Sequence, residues 1–325
     1  PPPPPPPPVF LAEDGIRDRV SCLVGSEMCI RDRGSAGSWD LNLDWIRGGA
    51  RRVGSRGVFP FVLTGQSIDR KLYDNLNSYT GESGSDGVVR VAAANMQGRY
   101  LRLEQHAPEG TERDRIGTTG LALDEFTEAP PTGLAVIGGR SHSGSRMGIM
   151  RSVKPAAASS RRRHDPKSRA TVDAILSCIG VRTRRQYTSL RARFAAETAA
   201  VQDAERLEVR NRLLLPDHRF LRDRYSMVVF RVRDDEGHPV TDYDLLLTAG
   251  ERSSPNHLPR GFFVDRQRNR VSRETVSYYV NHDIMLGAPE IRDTDGDVVR
   301  PATIGAKALG FRITARPERG FVLYA

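Results

Sequence analysis

Two short apolar runs in the first half of the chain have the pattern of buried β-strands. GVFPFVLTG (Gly57–Gly65) and TGLAVIGG (Thr132–Gly139) are continuous runs of aliphatic, β-branched and aromatic residues that end in glycine. Residues 34–56 are rich in glycine around Trp39 and Trp45, where we expect a helix and its connection. The first half is therefore predicted to be an α/β region with buried strands.

The hydrophobic period becomes helical between residues 170 and 222. The apolar residues on its two faces are Ile175, Cys178 and Ile179, and then Leu190, Phe194 and Val201. We predict a helical connector at 166–222.

Beyond residue 222 the pattern changes to short apolar segments separated by turn residues. These segments are YSMVVFRV, YDLLLTAG, GFFVD, TVSYYVNHDIML, GFRITAR and FVLYA. Several short strands at nearly even spacing favour a β-sandwich. We therefore predict a second, accessory domain of this kind at 223–325.

The first 33 residues, PPPPPPPPVFLAEDGIRDRVSCLVGSEMCIRDR, show neither period. They read more simply as nucleotides, since Glu13–Asp18 and Met28–Asp32 correspond to codons of common sequencing-library adapters, and the prolines correspond to a run of C. We therefore expect residues 1–33 to be adapter-derived and disordered, and we exclude them from the fold.

Composition narrows the class of protein. The other 292 residues exceed what one core ordinarily holds, about 250 residues, which favours two domains. The chain has 49 Lys and Arg against 40 Asp and Glu, a net charge of +9, but its arginines are spread without an aromatic-interleaved patch. We expect no nucleic-acid partner. No apolar run approaches the ~20 residues of a membrane-spanning helix.

Cysteine and metal-ligand patterns are weak. Once the adapter segment is set aside, Cys178 is the one cysteine that remains, and we expect it to be a buried, inert thiol. Asp293–Asp297 (DTDGD) hints at calcium, but its Gly is misplaced for an EF-hand and Ile304 stands where the bidentate Glu would be. We predict a hairpin turn there. The histidines of the β region, His238, His257 and His282, lack metal-ligand spacing, so we predict no metal site. We also expect no organic cofactor.

The order of one acid and one histidine along the chain is informative. Asp86 lies in GSDGVV, where a lone Asp usually makes a turn, and His142 lies in SHSGS immediately after a buried strand. An acid followed by a His at the exit of the next core strand matches the Ser, Asp, His order of an α/β-hydrolase. In such a triad the Asp orients the imidazole and the His takes the proton of the serine.

Two longer segments carry a resemblance. FPFVLTGQSIDRKLYDNLNSYTGESGSDGVVRVAAANM and SHSGSRMGIMRSV resemble the C-terminal half of bacterial α/β-hydrolase lipases and phospholipase-like esterases. The likeness covers about residues 34–325 and is most specific at Gly84–Asn95 (the acid loop) and Ser141–Val153 (the His loop). It implies a partial α/β-hydrolase sheet at 34–165, with Asp86 as triad acid and His142 as triad base, in an enzyme that hydrolyses an ester of a lipid.

The nucleophile departs from that family. No G-x-S-x-G occurs in the chain, and the nearest segment, Gly65–Asp69 (GQSID), has Asp in place of the second Gly. Only 19 residues separate Ser67 from Asp86, too few for the intervening elements of the family. We therefore expect the serine upstream of residue 34, and we expect the chain as given to be inactive.

A rival hypothesis is a non-catalytic binding protein on a hydrolase-like scaffold. Its β-domain, with Phe262, Phe263, Tyr278 and Tyr279 on strands, would recognise a lipid or glycan, although core packing is the simpler role of such residues. An intact upstream nucleophile favours the enzyme. The expected partner is a lipid or other ester. Contact with a membrane surface, the oligomeric state and the compartment, cytoplasmic or secreted, are left open.

Overall fold

The computed structural model describes residues 36–67, 84–105, 120–142, 147–149, 166–212, 215–250, 254–306 and 309–315. The predicted adapter segment and the FVLYA strand lie outside these ranges. Within them the chain is a mixed α/β protein, as predicted. None of the described helices combines the length and apolarity needed to cross a membrane.

The described residues of the first half form two helices and four strands. The helices are α1 (Ala36–Arg52) and α2 (Val91–Ala94), and the strands are β1 (Phe61–Gly65), β2 (Arg99–Gln105), β3 (Leu121–Glu128) and β4 (Gly133–Ile137). Strands β1 and β4 pair in parallel, whereas β2 and β3 form an antiparallel hairpin. Both predicted strands are therefore present; β4 is mostly buried, and β1 is buried only at its last two residues. Strand β1 begins only after Pro60, because proline has no N–H for a strand partner.

Helices α3 (Pro166–Ile179) and α4 (Arg184–Ala204) follow. Thr183 caps α4 in a reciprocal capping box with Gln186. The apolar face of α4 packs on the parallel pair, with the ring of Phe61 5.1 Å from that of Tyr187 and 5.8 Å from that of Phe194. The predicted helical stretch therefore closes the core of β1 and β4.

The prediction of helix as far as residue 222 is wrong. Strands β5 (Leu207–Arg212) and β6 (Leu215–Leu221) form an antiparallel hairpin there. A few apolar positions on either side of a short connection do not distinguish a helical turn from a hairpin, and cross-strand pairing decided the outcome.

Strands make up most of the C-terminal part. They are β7 (Tyr225–Arg231), β8 (Tyr243–Ala249), β9 (Phe263–Arg268), β10 (Thr275–Asn281), β11 (Ile291–Arg292), β12 (Val298–Arg300) and β13 (Leu309–Ala315), with a 3-10 helix at Pro255–His257. They form a three-stranded sheet in the order β7-β10-β9 and two antiparallel pairs, β8 with β13 and β11 with β12. The predicted hairpin turn at Asp293–Asp297 is present, since Asp293 Oδ1 accepts from the backbone N–H groups of Asp295 and Asp297.

The three-stranded sheet and the β8–β13 pair share one apolar core. Tyr278 and Val280 of β10 pack with Leu245 and Leu247 of β8, and every residue of β10 is buried. The segment TVSYYVNHDIML is not one strand, because Asn281 ends β10 and caps helix α5 (His282–Leu286) through a 3.0 Å bond from the Ile284 N–H.

Candidate active site

The predicted base lies just beyond the end of β4, beside the end of β1. Because the two strands are parallel, the loops that follow Gly65 and Ile137 leave the same edge of the sheet, where α/β folds place their ligands. The N–H of Ser67 donates to the carbonyl of Arg140 at 2.9 Å and ties these loops together. His142 comes two residues later and is therefore held at this edge.

A carboxylate at the end of α4 fastens both loops. The Gln66 side-chain amide donates to Glu205 Oε2 at 2.9 Å, and the Gly139 N–H donates to Glu205 Oε1 at 2.7 Å. Arg222 Nη1 lies 3.7 Å from the same carboxylate and balances its charge. Glu205 thus holds one residue after each parallel strand.

The acid loop presents one carboxylate oxygen to the His loop. The side chain of Asp86 is only 5% exposed. Its Oδ1 accepts from the N–H groups of Val88 at 3.1 Å and Val89 at 2.8 Å, and Gly87 takes a positive φ of 101° that lets the backbone curl around it. With Oδ1 fixed by the backbone, Oδ2 is directed to His142.

The structure brings the two predicted residues together. Asp86 Oδ2 lies 3.3 Å from Nδ1 of His142, although the residues are 56 positions apart in the chain. The backbone N–H of His142 also donates to the carbonyl of Asp86 at 2.7 Å. The side chain of His142 remains 46% exposed. In this arrangement a buried carboxylate orients a partly accessible imidazole.

The electrostatics of the pair favour proton uptake by the ring. The hydrogen bond to Asp86 raises the pKa of His142 above its ordinary value of 6.5; partial burial opposes this rise, and the negative charge of Asp86 adds to it. When neutral His142 donates its Nδ1 proton to Asp86, Nε2 is the basic atom. The pair is therefore equipped to accept a proton at Nε2 and to return it.

Ser67 and Cys178, the two side chains considered as nucleophile or reactive thiol in the sequence, fall within the described residues. No hydrogen bond in these ranges joins Ser67 to His142, and Ser67 is buried. Cys178 is only partly buried, not fully buried as predicted, but this burial raises the pKa of its thiol to about 11 and keeps it protonated near neutral pH. In the described part of the chain no three His, Cys, Asp or Glu side chains converge to hold a metal ion. The location of the nucleophile stays a prediction.

Sequence reasoning did not single out Glu205. The available signal was its place at the C-cap of α4, where the negative end of the helix dipole disfavours an acid. An acid at such a position needs compensating donors, and here they come from the two strand exits. Their positions in the chain, 139 and 66 residues before Glu205, give no local pattern.

The chain is similar to solved structures of a phospholipase. No family model matches the chain, and no curated protein sequence matches it. Phospholipase PlaB from Legionella pneumophila in complex with thio-NAD is 40% identical over 88% of this chain and 55% of its own, with a TM-score of 0.69. A second structure of the same phospholipase is 39% identical, covers 88% and 53% of the two chains, and has a TM-score of 0.69. The chain is thus similar over most of its length to a phospholipase of which it spans about half.

Proposed function

We propose that the chain is the C-terminal part of a serine ester hydrolase that acts on a lipid, with Asp86 as acid and His142 as base. The observation that carries the proposal is the contact between Asp86 Oδ2 and His142 Nδ1 at the exit edge of the β1–β4 pair. The similarity to a phospholipase supports the hydrolase class and a lipid substrate.

The proposal includes the architecture. Residues 34–165 belong to an α/β-hydrolase sheet, which the parallel pairing of β1 with β4 and the packing of α4 on β4 support. Residues 223–325 form an accessory β-sandwich, which the core shared by the β7-β10-β9 sheet and the β8–β13 pair supports.

The mechanism follows from the protonation state of the pair. Neutral His142 removes the proton of a serine hydroxyl at Nε2 while the serine oxygen attacks the ester carbonyl. Asp86 stabilises the imidazolium that results. His142 then returns the proton to the departing alcohol, and the acyl-enzyme is hydrolysed by water activated in the same way. The serine belongs to a G-x-S-x-G turn, a motif that this chain lacks.

Reaction with a fluorophosphonate probe tests whether the nucleophilic serine lies outside this chain. The purified chain should remain unlabelled and should not hydrolyse p-nitrophenyl esters, because it lacks the elbow serine. A longer product of the same gene that includes a G-x-S-x-G serine should be labelled at that serine and should release fatty acid from phospholipid vesicles. Labelling of the chain at Ser67 would refute the prediction that the nucleophilic serine lies upstream of residue 34. A longer product that carries the motif yet neither reacts nor hydrolyses would favour the binding-protein alternative.

A further inference from the structure

The acid loop is seated against the C-terminal sheet through a buried arginine. Arg90 is only 4% exposed, and its Nη2 lies 3.1 Å from Asp265 Oδ2 on β9. Its guanidinium carbon lies 3.9 Å from the centre of the Tyr279 ring on β10. The Gln267 side-chain amide donates to Asp265 Oδ2 at 2.6 Å and helps to hold that carboxylate. One side chain of the acid loop therefore reaches two strands of the other half of the chain.

Arg90 also closes the part of the acid loop that holds Asp86. Arg90 and Ser85 form an isolated antiparallel bridge, and the N–H of Val91 donates to the carbonyl of Gly84 at 2.9 Å. Between these ends lie the Val88 and Val89 amides that bind Asp86 Oδ1. A shift of Arg90 therefore moves the backbone that aims Asp86.

The start of the acid loop rests on the same sheet. Gly84 has a positive φ of 74°, and a Cβ at this position would lie 2.2 Å from Cδ2 of Tyr225 on β7. The close approach requires glycine, because any other side chain would collide with the ring and strain the backbone. Both ends of the loop segment that carries Asp86 are thus set against β7, β9 and β10.

We propose that Arg90 is a positioning residue that fastens the acid loop to β9 and β10 and thereby holds Asp86 in line with His142. This inference rests on the proposed function and extends it, since it makes the C-terminal sheet part of the alignment of the acid. A planar guanidinium suits the role because it stacks on a ring and donates to a carboxylate at once, whereas the lysine ammonium is a compact point charge.

The chain contains a matched control for this arrangement. Arg231 on β7 has a side chain that is 11% exposed, and its Nε lies 3.5 Å from Glu274 Oε1. Its guanidinium is 5.7 Å from the ring of Trp39. Arg231 thus has a carboxylate partner, Glu274, immediately before β10 and an aromatic partner, Trp39, on α1, and neither belongs to the acid loop.

The test is the titration of His142 in the full chain, followed by NMR of 13C-labelled histidine and assigned with His142→Gln. Asp86→Asn should lower the pKa of His142, because it removes the charge and the acceptor that favour the imidazolium. Arg90→Lys keeps the positive charge, so any change reports alignment rather than charge. We expect Arg90→Lys to give about half or more of the decrease caused by Asp86→Asn, whereas Arg231→Lys should give none.

The outcomes separate the two proposals. If Asp86→Asn leaves the His142 titration unchanged, the pair and the proposed function fail together. A second outcome is that Asp86→Asn lowers the pKa of His142, but Arg90→Lys changes that pKa no more than Arg231→Lys does while these two variants have equal melting temperatures. Arg90 is then merely structural, and the proposed function stands. Should Arg90→Lys not fold, Asp265→Asn decides, because the Asp265 side chain is 31% exposed. Glu274→Gln then serves as its control for the loss of one carboxylate, and equal titrations in these two variants would overturn the inference.

Discussion

Two Asp–His pairs in this chain have the same distance of 3.3 Å between Oδ2 and Nδ1 but differ in their surroundings. Asp86 and His142 are 56 residues apart, and the Asp86 side chain is 5% exposed. Asp234 and His238 are four residues apart in a turn, where the Asp234 side chain is 18% exposed. The exposed Glu236 also lies 3.4 Å from His238 Nδ1.

The two pairs also differ in the hydrogen bonds that each carboxylate accepts from the backbone. Asp234 Oδ1 accepts from the backbone N–H of His238 itself, as Asp commonly does to close a turn. Asp86 Oδ1 instead accepts from its own loop, so Oδ2 is directed at a residue from another strand exit. The distance alone does not distinguish the two pairs, whereas burial and position at the edge of a parallel strand pair support the proposed role of Asp86 and His142.

The largest expected effect is on kcat, and it should distinguish the Asp86–His142 pair from the Asp234–His238 pair. In a longer gene product that carries the elbow serine, Asp86→Asn and His142→Ala should each lower kcat about 10³- to 10⁴-fold while the fold is kept, because the serine loses its base or the base loses its orientation. Asp234→Asn should leave kcat unchanged. Steady-state hydrolysis of phospholipid vesicles measures all three variants, and near-normal turnover by either of the first two would remove that residue from the mechanism.

An intermediate effect is expected at the strand exits. Glu205→Gln replaces one of two carboxylate oxygens by a donor, which cannot accept from both Gln66 and Gly139. The resulting displacement of the loop that carries His142 should lower kcat about 10- to 100-fold in the longer product. Glu197→Gln, which removes an exposed partner of Arg193 on the same helix, is the control. Equal kcat values in these two variants would show that Glu205 does not align the site.

The smallest expected effect is on stability as a function of pH. The pKa of His142 is raised in the folded chain, so its protonation stabilises the fold below about pH 6.5, its value in the unfolded chain, and this contribution is lost as pH rises through the folded value. The melting temperature of Asp86→Asn should therefore fall furthest below that of the unmodified chain near pH 5 and approach it toward pH 9. Asp234→Asn should change the melting temperature less, because its pair is more exposed. A deficit in Asp86→Asn that grows with pH would contradict the assignment.

Much of this site could be predicted because its signals are local. An Asp between glycines and a His just after an apolar run are visible in a few residues each, and the structure places both at the edge of β1 and β4. Elsewhere the local pattern was insufficient. The pattern predicts helix where the β5–β6 hairpin lies, and it predicts a continuing strand where Asn281 caps helix α5.

The sequence by itself determined the two buried strands, the helices that cover them, the short strands of the second half and the identities of the candidate acid and base. Only the tertiary structure decided which polar residues, distant in the chain, contact one another. Arg90 meets Asp265 across 175 residues of chain, and Glu205 meets Gln66 across 139. Hydrophobic periodicity records which face of an element is buried, but it carries no information about which distant polar group satisfies a buried charge. That choice is made when the strand exits and the C-terminal sheet pack against the acid loop.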